Sequence, residues 1–318
     1  MRLISCLLMI DFFEKLQLDK GGIMKKINHK LLFFSFILAV FLFGYVSYFS
    51  NASMKSDDIS KSTLIMLDSE GYAQMLSSVI ITPTNHVIVV DGGWTYDADK
   101  LLKTIRKYNN TVDYWFITHP DPDHIGALYQ ILQDDSIQIG TIFCSLKPDE
   151  WYEKNAADIS DFIKQFKKLL FGRNVHYVRK RDVYLIDGLK IYVLNDIYDT
   201  KYNKVNNSSI VYKIMSKNNS IIFLGDLGKE GGDLLLKEST SYLLLSNIVQ
   251  MSHHGQEGVS ESVYRTINPN IALWPTPEWL WTNLNGTGSY KTLLTRQWIE
   301  DIGCTSYTTA YGDITIEF

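Results

Sequence analysis

Cysteine is scarce in this chain: three in 318 residues, at positions 6, 144 and 304. They form no metal-type spacing, which excludes a zinc-ribbon or disulfide-scaffold class. Cys144 and Cys304 are expected to be buried thiols. There is no low-complexity tract and no internal repeat, so repeat architectures are excluded as well. A basic surplus is also missing. The whole chain carries 31 Lys and Arg against 35 Asp and Glu. The first 52 residues hold six of the bases and three of the acids, leaving 25 against 32 beyond them, a net charge of −7. Neutralising phosphates along a nucleic acid needs a basic footprint, so this balance argues against a general-purpose nucleic-acid binder. What remains is the composition of a folded globular protein, 46% hydrophobic and 21% charged.

The start of the chain has its own pattern. Lys25, Lys26 and Lys30 precede an uncharged apolar run from Leu31 to Tyr48, and Ser50-Asn51-Ala52 is a small-x-small stretch. Residues 24–52 therefore read as a signal anchor or as a signal peptide cut after Ala52. Both place the rest of the chain outside the cytoplasm, because the lysines stay inside. The expected location is extracytoplasmic, tied to the cell membrane by an N-terminal hydrophobic helix, or secreted. Residues 1–23 read as an upstream extension. Lys20-Gly21-Gly22 can be encoded by a purine-rich ribosome-binding sequence just before the Met24 codon. Residues 53–62 are polar and read as a linker, and residues 63–318 as one folded domain.

One stretch organises that domain: Thr118-His119-Pro120-Asp121-Pro122-Asp123-His124-Ile125-Gly126. It follows the apolar run Tyr114–Ile117, which reads as a buried strand. Two prolines and a glycine point to a loop, with helix resuming at about Ala127. Imidazole and carboxylate are the usual nitrogen and oxygen ligands of catalytic divalent metals. Two further strand ends carry the same residue types: Asp226 after Ile221–Gly225, and His253-His254 after Ile248–Met251. Four of the seven histidines fall in these loops. The set His119, Asp121, Asp123, His124, Asp226 and one of His253 and His254 suits two clustered metals with a bridging carboxylate. Two such ions about 3.5–4 Å apart can share a hydroxide and clamp the attacking and leaving oxygens of a phosphoryl centre. The carboxylate-heavy set makes Mn²⁺ a candidate beside Zn²⁺. His29, His86 and His176 lie in no motif and are expected to be ordinary residues. Trp274, Trp279 and Trp281 read either as an aromatic rim that stacks on a sugar, base or choline group, or as a packed loop core.

Strands outnumber helices, and the helices punctuate rather than alternate with them, which suits two sheets sandwiched between helices. Val90-Asp91-Gly92-Gly93, the His-x-Asp-x-Asp-His stretch, Asn206–Ser209, Phe223–Asp226 and His253-His254-Gly255 occur in the order seen in the metallo-β-lactamase superfamily. The variant is similar to the metallo-β-lactamase-like domain of ComEC-type DNA-uptake proteins and their stand-alone relatives. The resemblance implies an α+β, four-layered αββα sandwich. It assigns His119 and Asp121 to one metal, Asp123 and His124 to the other, and Asp226 to the bridge. His253, nearer the strand end, is favoured over His254 to complete the second site. Asp123 and Asp226 are the candidate catalytic residues. Asp91 is expected to orient the ligand loop. Asn207 stands where many members have another histidine; it ligates weakly, binds substrate, leaves that position to water, or is a structural turn.

Two departures matter. Asp121 replaces the second histidine of the commoner His-x-His-x-Asp-His pattern, which argues against β-lactamase and glyoxalase chemistry. Ser69-Glu70-Gly71-Tyr72 stands in place of the usual Gly-Gln-Gly-Asp turn. The membrane helices of a DNA-uptake channel are absent from the sequence, so the chain is not such a channel by itself. The expected function is a metal-dependent phosphodiesterase acting on a nucleic acid or a cell-envelope phosphodiester. The alternatives are a binding or assembly protein on a degenerate hydrolase scaffold, and a lactonase or thioesterase. Mass spectrometry of the mature N-terminus is expected to find nothing before Met24; peptides from Arg2 to Lys20 would overturn the upstream-extension reading.

Overall fold

In the computed structural model, residues 61–283 and 291–318 are described. The expected N-terminal hydrophobic helix lies outside them. Among the described residues, no helix is long and apolar enough to cross a membrane.

Two seven-stranded sheets form the centre. The first takes β1 (Thr63–Met66), β2 (Ser77–Ile81), β3 (Val87–Asp91), β4 (Thr111–Phe116), β5 (Gln138–Cys144) and β6 (Val175–Tyr177) in chain order. The second takes β7 (Val183–Ile186), β8 (Leu189–Val193), β9 (Tyr212–Met215), β10 (Ser220–Phe223), β11 (Ile248–Gln250), β12 (Ile271–Trp274) and β13 (Thr305–Thr308). The last strand, β14 (Ile314–Glu317), returns to pair antiparallel with β1. Each sheet changes character halfway. β1–β3 and β7–β10 pair antiparallel with their neighbours, whereas β3–β6 and β10–β13 run parallel.

Burial explains why the strands read as unbroken apolar runs. In β3, Val87 and Val89 belong to the core under the helices Ala98–Ile105, Pro122–Asp134 and Ser160–Leu169. Ile88 and Val90 point the other way, into the core between the sheets with Phe116, Phe143, Tyr212 and Phe223. A third core packs the outer face of the second sheet against Leu235, Val263, Tyr264, Ile267 and Ile299 from its helices. A strand covered on both faces needs apolar side chains at both phases of its pleat. Three apolar cores between four layers make the expected α+β αββα sandwich, and the strands read before the three site loops are present: Ile221–Gly225 and Ile248–Met251 shift by one or two residues at their ends, and the one at Tyr114–Ile117 begins three residues earlier, at Thr111. Both Cys144 and Cys304 are free and buried, as expected.

The helices were less legible. The helix expected from about Ala127 begins at Pro122, so Asp123 and His124 stand in its first turn rather than on a loop. Proline is well suited to that first position, because its fixed φ is helical and its missing N–H has no helical partner there. The helices Asp149–Asn155, Ser241–Leu244 and Thr292–Ile302 were not anticipated. Gly126 shows why that first turn tolerates a glycine. A Cβ there would stand 2.5 Å from the Thr95 amide nitrogen and 2.8 Å from the Trp94 Cα, so only glycine lets the helix approach the segment after β3. The Ala127 amide donates to the Gly93 carbonyl across this contact at 3.0 Å. Alanine would normally favour a helix by about 1 kcal/mol over glycine. Here Gly126→Ala is expected to destabilise the fold by about 1–3 kcal/mol instead, as overpacking against backbone does. Denaturant unfolding measures the sign.

Candidate metal centre

The chemistry-bearing residues stand at the carboxyl ends of the inner strands of both sheets: Asp91 as the last residue of β3, the Thr118–His124 stretch after β4, Asp226 after β10 and His253-His254 after β11. Parallel strands bring these ends to one edge of the sandwich, the usual place for a site in such sheets. Gln250, fully buried in β11, joins two of them. Its Oε1 accepts the amides of Leu224 and Gly225, both at 2.8 Å, and its Nε2 donates to the carbonyls of Gly225 and Met251.

Each imidazole is held by its Nδ1. Asp91, fully buried at a left-handed φ of 55°, accepts the Thr118 amide at 2.8 Å and the Thr118 hydroxyl at 2.7 Å. The same carboxylate takes His124 Nδ1 at 2.8 Å. With its proton committed to Asp91, the Thr118 hydroxyl turns a lone pair to His119 Nδ1 at 3.1 Å. Ser209 Oγ, 3.2 Å from the same nitrogen, accepts the Asp226 amide at 3.0 Å. His254 Nδ1 lies 3.1 Å from the Pro275 carbonyl. A carboxylate or carbonyl only accepts, so Nδ1 of His124 and His254 carries the proton and Nε2 is turned inward.

The inward atoms converge. His124 Nε2 is 3.2 Å from Asp226 Oδ1, and His254 Nε2 is 3.1 Å from Asp123 Oδ2 and 3.2 Å from Asp226 Oδ2. His119 Nε2 lies 3.3 Å from Asp121 Oδ2. Asp123, His124, Asp226 and His254 are all buried, and each offers a donor atom within 4.8 Å of the other three. His119 Nε2, Asp121 Oδ1, His124 Nε2, Asp226 Oδ1 and His254 Nε2 are buried atoms without a hydrogen-bond partner among the described residues. In the metal-free protein the inward partners of His124 and His254 are the carboxylates of Asp123 and Asp226 at 3.1–3.2 Å, and a buried polar atom left unmet costs about 1–3 kcal/mol. Divalent cations answer these inward atoms all at once, so the residues present fit the metals that the sequence implies.

Charge tells the same story. Burial alone would push the Asp226 carboxyl up, but His254 and His124 outweigh it and hold it well below the ordinary carboxylate range. Asp123 is lowered in the same way by His124 and His254. Burial pulls the two imidazoles down, yet Asp226 and its neighbouring carboxylates hold His124 well above its ordinary value and raise His254 to about 9.

Several expectations need correction. The geometry gathers His254, not His253, with Asp123 and Asp226. His253, His254 and Gly255 follow one another in the left-handed region at φ of 51°, 56° and 80°. That turn swings His254 inward and leaves His253 at the margin. His253 Nδ1 is 3.2 Å from the Glu257 carbonyl and its Nε2 3.0 Å from Asn206 Nδ2, 3.9 Å from Asp226. Two consecutive left-handed non-glycine residues cost about 1–2 kcal/mol each, strain of the kind held at functional sites. Asn207 takes the structural alternative, while it also lines a cleft of about 730 Å³ with Tyr202, Gln256 and Trp298. Its Oδ1 accepts the amides of Gly228 and Gly231 at 3.0 Å, and its Nδ2 donates to the Tyr202 carbonyl at 2.9 Å, so it holds the start of the helix Lys229–Glu238.

Trp274 is fully buried and meets Trp281 edge-on at 5.2 Å, with Arg296 over the Trp281 ring at 4.0 Å. These two form a loop core. Only Trp279 stands at the rim, beside a cleft of about 420 Å³. Ser209 and Gln250 were not singled out from the sequence. The polar Gln250 inside Ile248–Met251 was a readable signal; Ser209 offered none beyond its place in the Asn206–Ser209 stretch.

A sandwich of two mixed sheets with a buried His/Asp cluster at one edge defines a metallohydrolase-type scaffold. The chain belongs to the metallo-beta-lactamase superfamily, whose family profile matches residues 72–263. No curated protein matches the chain in sequence. Among solved structures, unliganded yeast PDE1 is similar at 12% identity and a TM-score of 0.52, covering 81% of this chain and 100% of that one. The CmlA beta-hydroxylase E377D mutant is similar at 12% identity and a TM-score of 0.50, covering 80% of this chain and 54% of that one. YhfI from Bacillus subtilis, a metallo-beta-lactamase fold protein, gives 12% identity, a TM-score of 0.49, and coverage of 81% and 100%. At such identities the likeness concerns the fold.

Two outcomes are expected from metal titration. Asp91→Ala lowers metal affinity by about 10–100-fold, as loss of an orienting carboxylate does, measured by competition with a chromophoric chelator. Metal uptake near pH 7 also releases protons. The metal-free His254, at about 9, holds a proton on Nε2 that must leave, so affinity falls as pH falls. Binding heats compared in two buffers of different ionisation enthalpy read the release.

Proposed function

We propose that this protein is an extracytoplasmic, metal-dependent phosphodiesterase related to the ComEC-type metallo-β-lactamase-like domain. The observation that carries the reading is Asp121. A carboxylate, in place of the commoner histidine, stands 3.3 Å from His119 Nε2 beside the buried cluster of Asp123, His124, Asp226 and His254. This set is richer in oxygen than the pattern of β-lactamases and glyoxalases, which makes Mn²⁺ a candidate beside Zn²⁺ for clamping phosphoryl oxygens.

His119 and Asp121 would hold one ion, Asp123, His124 and His254 the other, with Asp226 between them. Bound there, divalent ions supply Lewis-acid activation of water and neutralise charge that develops on a phosphoryl group. The rest is the work of the chain. Asp91 and the Pro275 carbonyl fix which nitrogen of His124 and His254 faces inward. Thr118 and Ser209 do the same for His119. Burial of His119, His124, Asp226 and His254 shields one side of the centre from water. On the open side stand Asp121, with 18% of its side chain exposed, and His253, with 19%. A substrate phosphate enters there.

The envelope is the favoured source of the substrate, since a net −7 beyond residue 52 repels a polyanion. Anchoring by residues 24–52 would keep the domain beside that substrate. A second reading has its own observation. Asn207 is spent on backbone groups, so the first metal position has fewer side chains than in many relatives. A scaffold that binds one ion or none and serves as a binding or assembly protein would look the same at this point.

Two measurements on the purified full-length chain separate them. The phosphodiesterase reading expects about two equivalents of metal and metal-dependent hydrolysis of bis(p-nitrophenyl) phosphate. Asp226→Ala is expected to reduce kcat by a factor on the order of 10² or more, as removal of a group that stabilises the transition state does. Fewer than one equivalent of metal favours the second reading, and metal-loaded protein without turnover counts against the first.

A further inference from the structure

The cleft beside the centre is built from the two segments that hold it. One wall is the loop between β1 and β2, lined by Asp68, Gly71, Tyr72 and Met75; the other runs from Pro275 through Glu278 and Trp279. Met75 is followed by Leu76, whose amide donates to the Asp123 carbonyl at 3.1 Å. The Pro275 carbonyl meets His254 Nδ1. The walls are therefore one residue or one hydrogen bond away from Asp123 and His254. Tyr96, half-exposed and stacked on Trp94 at 6.1 Å, backs Gly71.

Several hydrogen-bond donors of the walls are already committed. Trp279 Nε1 donates to the Tyr72 carbonyl at 2.6 Å, tying the two walls together. Ser69 Oγ donates to Asp97 and accepts the Gly71 amide. The Thr309 hydroxyl accepts the Thr276 amide at 2.9 Å and faces the carbonyls of Trp274 and Thr276. A sugar ring or a second phosphate would find few donors in such a space.

Negative charge and apolar surface are what the walls do present. Asp68 and Glu278 line the cleft. Asp313 accepts the Asp68 amide, and Asp97 accepts the Glu70 amide and the Ser69 hydroxyl just behind the wall. Lys100, paired with Asp68 and Asp313, is the one cation set against these four carboxylates among the described residues. Glu278 makes no ion pair among them. Met75, Pro275, Pro277 and Ala310 supply apolar surface, and Tyr72 and Trp279 aromatic surface. A cleft with a surplus of carboxylates concentrates cations, and aromatic faces favour a cation that needs no hydrogen-bond acceptor.

We propose that this cleft is the subsite for an ammonium group carried by the substrate, a quaternary ammonium above all. The assignment rests on the phosphodiesterase reading for its place in the reaction, because the ammonium-bearing alcohol would be one of the two groups esterified to the phosphate held at the metal centre. Its binding can be measured without turnover.

The probes are choline and its neutral isostere 3,3-dimethylbutan-1-ol, titrated against the metal-loaded full-length chain by ligand-observed NMR. Choline is expected to bind about tenfold tighter than the neutral alcohol. Glu278→Gln, a change at an exposed side chain, is expected to bring the two within about threefold of each other, as is added salt for an exposed charge. Equal affinities in the wild-type protein, or no choline binding at all, overturn the subsite. Hydrolysis of p-nitrophenyl phosphorylcholine with a higher kcat/KM than bis(p-nitrophenyl) phosphate supports it, and loss of that preference in Glu278→Gln supports it further. Choline binding with neither ester hydrolysed sustains the subsite and sinks the phosphodiesterase reading instead.

Discussion

Asp91 sits at the end of β3 with no exposure to solvent and three hydrogen bonds to its carboxylate. Two of them come from Thr118 at the end of β4, and the third from His124 in the first turn of the helix Pro122–Asp134. One side chain thus joins a strand end, the neighbouring strand's loop and a helix start. The Thr118 hydroxyl passes the constraint to His119, and Ser209 passes it from His119 to the Asp226 amide. Removing the carboxylate would leave a buried imidazole, amide and hydroxyl unmet, each at about 1–3 kcal/mol. The inward-facing nitrogens of the centre depend on this chain of bonds more than on their own rotamers.

That dependence explains how the fold can hold so many like charges in one buried place. Four carboxylates and three imidazoles lie within one edge of the sandwich, and the Asp–His contacts at 3.1–3.3 Å offset part of the repulsion. The remaining lone pairs point at a common space. Apolar cores on both faces of each sheet keep the strands, and so the strand ends, in fixed register. The rigid part of the molecule holds the centre. The segments that face outward, from Asp68 to Met75 and from Pro275 to Trp279, carry the acidic and aromatic surface that would decide what reaches it.

Much of this was legible in the order of residues. Apolar runs such as Val87–Val90 announce strands covered on both faces, because each pleat phase must be buried. Histidine and aspartate placed after three such runs announce a metal centre, since strand ends at one edge are neighbours whatever lies between them in the chain. The membership of His119, Asp121, Asp123, His124 and Asp226 in one cluster could be read in that way, and the αββα class with it, while Asp91 entered only through the resemblance.

Other features were decided only by the packed chain. A helix begins at Pro122 because Asp121 stands extended before it and Gly126 lets it lie against Trp94 and Thr95. His254 replaces His253 at the centre because three consecutive left-handed residues rotate the strand end, a backbone path that neighbouring letters do not encode. Asn207 serves a helix start because Gly228 and Gly231 come within 3.0 Å of it from 21 and 24 residues away. Sequence by itself determined which residue types meet at the edge of the sheets, since periodicity and strand-end placement are local properties. Only the tertiary structure decided which of them face inward, because that depends on hydrogen bonds between residues distant in the chain.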